Sequence, residues 1–469
     1  MAVKGRTHRP VIRHERCNQC AVCLGGCPAE ILPEMRGEEE SLRGRVYSRR
    51  DGALRVHEGK DLGRPPCQAA CPLGQDVRGY IKLIAEGRHA DAMALIRETN
   101  PLPSICGHIC PRPCEAHCIR GLVDDAVSIR SLKSFVADRE GGRIELHFKS
   151  RAVDKRVSVV GSGPAGLSAA HELAAKGYGV EIFESHSRPG GMLAWAIPDF
   201  RLPRDALDRD ISYIEEMGVM IKTGRCFGRD FTLSDLKRGG TDAIIIATGT
   251  MRPLKLGIEN EKECEDLVDC LSFLRRYAED KRSLPGERVL VVGGGNAAID
   301  SARAAVRLGA GMVKLLYRRG PDEMPADPGE VQAAILEGVG IEYLTAPKRI
   351  VMKGEALWGM ECLKTELRED IQGGRRSPVV IPGSEFFLEG DLIISAVGQE
   401  ADYGLLAKEL PEGKKKEGVC PLDPETMSTP IEGVFAAGDF LHGPTSVVEA
   451  MASGKRVAGR VAGYLSGKE

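Results

Sequence analysis

Over the last two thirds of the chain, short runs of β-branched residues alternate with stretches whose apolar residues recur at helical spacing. That alternation predicts strand–helix–strand units and a buried parallel sheet. RVSVV (156–160) leads into an Ala/Leu-rich helix, and GVEIF (179–183) is the next strand. ERVLVV (287–292) opens a second unit of the same make, which ends at LLY (315–317). TDAIIIATGT (241–250) predicts a buried strand running into a tight Gly turn. GVFAAGDF (433–440) predicts a strand, followed by a helix starting near Thr445 or Ser446. The first third differs. In VRGYIKLIAEGRHADAMALIRET, Ile81, Ile84 and Ala85, then Ala92, Leu95 and Ile96, keep a helical rhythm, so a small helical domain is expected there.

Glycines punctuate both units at the strand-to-helix turn. Gly161, Gly163 and Gly166, with Pro164 and Ala165 between them, form the G-x-G-x-x-G pattern. The second strand of that unit delivers Glu184. Such glycines let the backbone approach a pyrophosphate at the helix N-terminus, and the acid can bind ribose hydroxyls. In the second unit Gly293, Gly295 and Ala298 hold the three small positions. Where the acid would stand there are Arg318 and Arg319, which favour a ribose 2′-phosphate, hence NADP(H) over NAD(H). FAD at the first unit and NADP(H) at the second is the expected pairing, with NAD(H) left open. Gly438 and Asp439, late in the chain, suit the ribityl side of a flavin, so the FAD domain is expected to be split by the NADP domain.

Composition narrows the classes. At 469 residues the length suggests about three domains. A net charge of −2 gives no reason to expect nucleic acid or an anionic membrane, and 5% aromatics argues against base-stacking platforms. No run of eighteen apolar residues is present, so no membrane span is expected. The start, MAVKGRTHRPVIRHERC, is basic but lacks an apolar core for a secretory signal; a cytoplasmic location is the expectation.

In a reducing compartment, fifteen cysteines point to metal or redox chemistry. Ten precede position 120. Cys17, Cys20, Cys23 and Cys27, the last followed by proline, have the C-x2-C-x2-C-x3-C-P spacing of iron–sulfur ligation rather than the separated pairs of a zinc site. Cys67/Cys71, Cys106/Cys110 and Cys114/Cys118 recur as C-x3-C, a spacing that puts both thiols on one helix face. Ten thiolates suffice for two 4Fe-4S clusters with two left over; one or two clusters are expected, two preferred. Cys226, Cys264, Cys270, Cys362 and Cys420 read as small buried hydrophobes.

From Cys67 to the C-terminus the chain resembles the small subunit of glutamate synthase. It is also similar to the N-terminal half of dihydropyrimidine dehydrogenase and to the flavin subunit of ferredoxin:NADP oxidoreductases. The strings that carry this are CGHICPRPCEAHC, VVGSGPAGLSAA, PGGMLAWAIPDFRLP, VVGGGNAAIDSAR, LLYRRGPDEMPAD and GVFAAGDFLHGPTSVVEA. The resemblance implies FAD at Gly161, Gly163, Gly166, Glu184, Gly191, Arg201 and Asp439, with Met192, Gly438, Thr445, Ser446 and Val447 as further candidates beside them. It implies NADP(H) near Gly295, Asn296, Ala297, Arg318, Arg319 and Gly398. It also implies that electrons move between NADPH, FAD and 4Fe-4S clusters held by the helical domain.

Two departures stand out. Members of the family commonly have a C-x2-C pair shortly before the position of Cys67, where this chain reads EGKDLGRPPC. A non-cysteine ligand of the pyrimidine enzyme, a glutamine, falls near Lys133, a poor iron ligand. The run at Cys17–Cys27 is expected to make up that deficit, wholly or by sharing.

The expected fold class is α/β: two Rossmann-like dinucleotide-binding domains, the NADP domain inserted in a split FAD domain, plus an N-terminal α-helical iron–sulfur domain. Boundaries are expected at 1–45 (ferredoxin-like cysteine segment), 46–150 (helical iron–sulfur domain), 151–270 and 389–469 (FAD domain), and 271–388 (NAD(P)H domain). Direct hydride transfer to a flavin needs positioning rather than a general base, so no catalytic side chain is assigned; His442 reads as a bystander. A disulfide reductase is disfavoured, because neither GGMLAWAIP nor RRGPDEMPAD contains cysteine. The expected electron partner is a ferredoxin or an iron–sulfur enzyme subunit; the alternative is a glutamate synthase large subunit. A vestigial scaffold is disfavoured by two intact fingerprints, and self-association is left open.

Overall fold

The computed structural model describes residues 64–122, 124–140, 153–280, 286–369, 376–410 and 421–467, and the backbone of four short strands, Ala2–Val3, Pro10–Val11, Val46–Ser48 and Leu54–Val56. Cys17, Cys20, Cys23, Cys27 and Cys420 lie outside the described residues. The chain divides into two units, one of Met1–His147 with Ser446–Ala452, the other of Phe148–Thr445 with Ser453–Glu469. Among the described residues no helix is long and apolar enough to cross a membrane.

The first unit is helical, with Val77–Ala85, His89–Arg97, Pro103–Ile109 and Ile129–Glu140 as its main helices. The helical rhythm of this stretch is carried by two helices, with Gly87 at a φ of +74° ending the first and turning the chain back. Val77, Tyr80, Ala92, Met93, Ile96, Cys114, Ile129, Val136 and Ala137 form the core, whereas Ala85 is exposed.

The second unit is built on two five-stranded parallel sheets. In the first, the order is Val434–Ala436, Ala243–Ile246, Arg156–Val160, Gly179–Phe183, Met220–Lys222. The pairing of Val434–Ala436 with Ala243–Ile246 joins two pieces of chain separated by the whole second sheet, so the first domain is split as its late strand suggested. The second sheet runs Leu267–Asp269, Leu392–Ser395, Arg288–Val292, Met312–Tyr317, Gly340–Tyr343. The boundaries expected at 270/271 and 388/389 therefore need moving outward, since each cuts a strand from this sheet. The first of those strands is only three residues long and half-buried, and the other follows an antiparallel excursion of four strands between Thr345 and Glu389. The strand that leaves the first sheet, Arg252–Pro253, pairs antiparallel with the strand that returns to it, Gln399–Glu400.

Each central strand is apolar on both faces, as a sheet covered by helices requires. Val159, Leu167, Ala169, Ala170 and Leu173 are fully buried between the Arg156–Val160 strand and the Pro164–Ala175 helix, and each such leucine contributes roughly 2 kcal/mol. In the second sheet Val289, Val291, Ala298, Ile299 and Ala302 play the same part.

Candidate functional site

At the first turn, Gly161 has a φ of +104°. A Cβ there would strike the Ala247 carbonyl oxygen, and one on Gly166 would strike the Gly161 carbonyl oxygen. These two glycines are demanded by the protein's own packing. Gly163 differs: it caps the Pro164–Ala175 helix, its φ is −67°, and no protein atom lies within 4 Å of where its Cβ would be. The open side of the turn therefore faces away from the protein, at the N-terminus of a twelve-residue helix, which is the geometry that receives a pyrophosphate.

Segments distant in sequence close around this turn. A Cβ on Gly191 would stand 2.9 Å from the Gly163 Cα, and one on Gly438 would stand 2.6 Å from the Ala165 Cβ. Met192 starts the short helix after Gly191, so the 161–166, 190–192 and 438 segments are brought together. Glu184 is buried and lies at the end of the second strand. Its Oε2 accepts from the Ser162 amide (3.1 Å) and hydroxyl (2.5 Å), and its Oε1 accepts from the Ser185 hydroxyl (3.1 Å) and the His186 amide (2.9 Å). Ser162 escaped the sequence reading. Its Oγ also accepts from the Gly190 amide at 2.9 Å, so one hydroxyl ties the acid to the glycine turn; the middle position of G-x-G was the only signal. Asp439 Oδ1 accepts from the Thr445 amide (3.1 Å) and hydroxyl (2.6 Å). Ser446 and Glu449 form a capping pair at the start of Val447–Leu465, the Ser446 hydroxyl donating to Glu449 at 2.6 Å. His442 is exposed, and partial desolvation with Arg456 nearby holds its imidazole below the usual range.

The second turn repeats the first. Gly293 has a φ of +151°, and a Cβ there would strike the Ala396 carbonyl oxygen. Gly295 caps the Asn296–Arg307 helix and is open on its outer side. Ala298 is buried under that helix, and Asn296 Oδ1 accepts from the Asp327 amide at 2.9 Å, holding the following loop to the turn. Gly398 has a φ of +125°, and its carbonyl accepts from the Leu254 amide at 3.0 Å. Arg318 is exposed at the end of the second strand, and the Arg319 Nε is buried without a hydrogen-bond partner among the described residues. A buried guanidinium nitrogen without a partner among the described residues, two residues past the second strand of this unit, fits a phosphate-bearing ribose.

Arg201, which the resemblance implied at FAD, is engaged by the second domain. Its guanidinium is buried against the second domain, Nη1 2.7 Å from Asp300 Oδ2 and Nε 3.4 Å from Glu330. Asp300 sits on the Asn296–Arg307 helix, and burial pushes its carboxyl up to about 7, against the pull of Arg201. Arg303 pairs with Glu330 and, at 2.8 Å, with Glu337, while the neighbouring Phe200 ring lies under Arg303 and Arg307. Phe200 and Arg201 thus lock the first domain onto the helix of the second.

In the helical unit the six cysteines 67, 71, 106, 110, 114 and 118 are free thiols, with Cys106, Cys110 and Cys114 buried. The helices end at or before Cys71, Cys110 and Cys118, so each C-x3-C pair spans a helix and the turn after it rather than one face. Cys114 senses the charges of Lys133, Cys110 and Cys71, and burial pushes it up to about 12. Cys110 is drawn down to about 6, first by a hydrogen bond from the Cys106 thiol and further by Lys133, against its burial. Cys67 is raised by burial and by Cys118. Burial raises the Tyr80 hydroxyl, and Cys114, Cys71, Cys67 and Cys110 all push it the same way, so these four thiols share one neighbourhood. Cys106 is fully buried, and its Sγ is 3.6 Å from Met451 Sδ. Among the described residues no three histidines, cysteines or carboxylates converge on a single-ion site. The donor chemistry, free clustered thiols that deprotonate on binding, fits an iron–sulfur group.

Residues 155–454 match the pyridine nucleotide-disulphide oxidoreductase family, and residues 53–143 match dihydropyrimidine dehydrogenase domain II, 4Fe-4S cluster. The chain is 41% identical to the NADP(+)-dependent formate dehydrogenase subunit beta of Moorella thermoacetica over 85% of its own length, and spans 60% of that protein. It is 34% identical to the glutamate synthase [NADPH] small chain of Azospirillum brasilense, covering 87% of each chain. Among solved structures, FprA of Mycobacterium tuberculosis in complex with NADPH superposes with a TM-score of 0.52 at 19% identity, over 67% of this chain and 86% of that one, a likeness of fold. With both cradles, the split domain and the thiol-bearing helical unit in place, the chain belongs to the pyridine nucleotide-disulphide oxidoreductase family, with a match to dihydropyrimidine dehydrogenase domain II, 4Fe-4S cluster, ahead of that fold.

Proposed function

We propose that the chain is an NADPH-dependent flavin and iron–sulfur oxidoreductase that passes electrons between NADPH, FAD and 4Fe-4S clusters, to or from an iron–sulfur enzyme subunit or a ferredoxin. The observation that carries this reading is the pair of matched cradles in one unit. Gly163 and Gly295 each open a twelve-residue helix toward empty space, with Glu184 at the first and Arg318 and Arg319 at the second.

Bound FAD supplies the conversion of a two-electron hydride into the single electrons that clusters accept one at a time. The chain's own residues hold and orient. Gly161 to Gly166 with Gly191 and Gly438 form the pyrophosphate cradle, and Glu184, fixed by Ser162, is set to accept from ribose hydroxyls. Asn296, Ala297 and Gly398 border the second cradle, while Arg318 and Arg319 supply charge for a 2′-phosphate. The Arg201–Asp300 pair holds the two domains in one register, which is the positioning that direct hydride transfer needs.

For the clusters, Cys71, Cys110 and Cys114 form one set of thiolates. Cys67 and Cys118 form part of a second, completed by thiols of the Cys17–Cys27 run. Iron content of a Cys17/Cys20/Cys23 triple serine variant tests this; an unchanged count removes the run from the scheme. The names of the relatives, subunits of formate dehydrogenase and glutamate synthase, support a multi-subunit setting. A glutamate synthase large subunit is the second reading, favoured by the even coverage of that small chain.

The deciding experiment is an anaerobic titration with NADPH and then NADH, followed by visible absorbance and EPR. Flavin bleaching by NADPH with a reduced-cluster signal is expected. No bleaching by either nucleotide would overturn the assignment of the second cradle.

A further inference from the structure

A lysine is buried in the helical unit among the thiols. Lys133, on the Ile129–Glu140 helix, is 6% exposed, and its Nζ donates to Gln75 Oε1 at 2.5 Å. Gln75 is 2% exposed and is fixed in turn: Asn100 donates to its Oε1 at 3.4 Å, and its own Nε2 donates to the Ile96 carbonyl at 3.4 Å. Asn100 is fully buried and accepts from the Leu102 amide at 2.9 Å. The whole chain of groups is neutral except for the ammonium.

An ammonium in such a place is costly unless an opposite charge faces it. Among the described residues no carboxylate pairs with Lys133. The thiols on this side are Cys114, which shares a buried core with Ile129, Val136 and Ala137 of the Lys133 helix, and Cys110, whose backbone is held by the same helix. Arg130 adds a second cation on the same side, its Nη1 donating to the Cys110 carbonyl at 3.1 Å. A cluster held by thiolates is itself negative, so it supplies the balance that the amides cannot.

We propose that Lys133, held by Gln75, is the counter-charge of the cluster bound by Cys71, Cys110 and Cys114, and that it raises the reduction potential of that cluster. This rests on the reading of those cysteines as cluster ligands. The physical reason is that one-electron reduction adds negative charge to the cluster, and a fixed cation in a low-dielectric core favours the more negative state. Lys133 acts through charge and takes no part in bonding iron, because an ammonium has three donors and no lone pair to give.

The test uses the full chain, reconstituted anaerobically with iron and sulfide, and an EPR-monitored redox titration with chemical mediators, which bypasses NADPH and the flavin. In Lys133→Met one cluster is expected to become at least tenfold less reduced at a fixed potential, a downward shift of 59 mV or more for one electron. Lys133→Arg, which keeps the charge, should stay within about threefold of wild type, and iron content should match in all three proteins. An unchanged midpoint in iron-replete Lys133→Met overturns the proposal. If Lys133→Met loses iron, Lys133→Gln replaces it as the neutral variant, with the same two outcomes. Wild type that takes up no iron overturns the ligand reading itself, a failure visible before any variant is compared.

Discussion

The Arg201 guanidinium meets the Asp300 carboxylate at 2.7 Å, with the side chains 8% and 3% exposed, and so ties the loop after the first glycine turn to the helix of the second. At pH 8, where Asp300 is ionised beside Arg201, removing one partner leaves the other buried without its counter-charge. Arg201→Met should lower the stability of the protein by ~3–5 kcal/mol, and Arg201→Met/Asp300→Leu should recover most of it. Thermal unfolding of both variants checks this; equal losses would mean the pair is not coupled.

The same carboxyl makes the interface sensitive to pH. Burial raises Asp300 from 3.8 to about 7 in the folded chain, so between these values the folded state binds more protons than the unfolded one. Its contribution is full below about pH 4 and is lost as pH rises through about 7, with a slope of at most ~1.4 kcal/mol per unit. The Tm difference between wild type and Asp300→Asn should therefore shrink from pH 4 to pH 7. A flat difference counts against this account.

Gly163 and Gly161 should respond differently to the same added methyl. Gly161→Ala meets the Ala247 carbonyl at a φ of +104° and should cost several kcal/mol of stability. Gly163→Ala has room and an ordinary φ, so the fold should keep its Tm within a degree or two in the flavin-free form, while flavin content drops at least tenfold. Absorbance of the purified variants separates the two effects.

At the second cradle, Arg319→Ala should reduce the preference for NADPH over NADH about tenfold or more, a loss of ~1–3 kcal/mol for a charge-assisted phosphate contact. The ratio of kcat/KM values with ferricyanide as acceptor reports it. An unaltered ratio would leave Arg318 as the group that reads the 2′-phosphate.

Among the thiols, Cys106→Ala should keep its iron, because Cys106 is fully buried and engaged with Cys110 and Met451. Cys110→Ala and Cys114→Ala should each lose about one cluster's iron. Iron analysis of the three proteins is sufficient, and loss of iron in Cys106→Ala would return it to the ligand set.

What the sequence determined was local. A β-branched run, glycines at fixed spacing and a following apolar helix place Gly161–Gly166 and Gly293–Ala298 at their turns. They do so because the conformations those glycines need are set within a few residues. The split of the first domain was legible for the same reason, since GVFAAGDF has a strand signature of its own. The tertiary structure alone decided what depends on partners far along the chain. Arg201 finds Asp300 99 residues later, and Gln75 reaches Lys133 across 58. Leu392–Ser395 joins the second sheet only after a four-stranded detour. Cys106 has the same spacing as its neighbours, yet it is fully buried and packs its sulfur against Met451. No local pattern encodes such pairings: a charge or a thiol in the interior takes its role from what opposes it, and that is settled when the cores close.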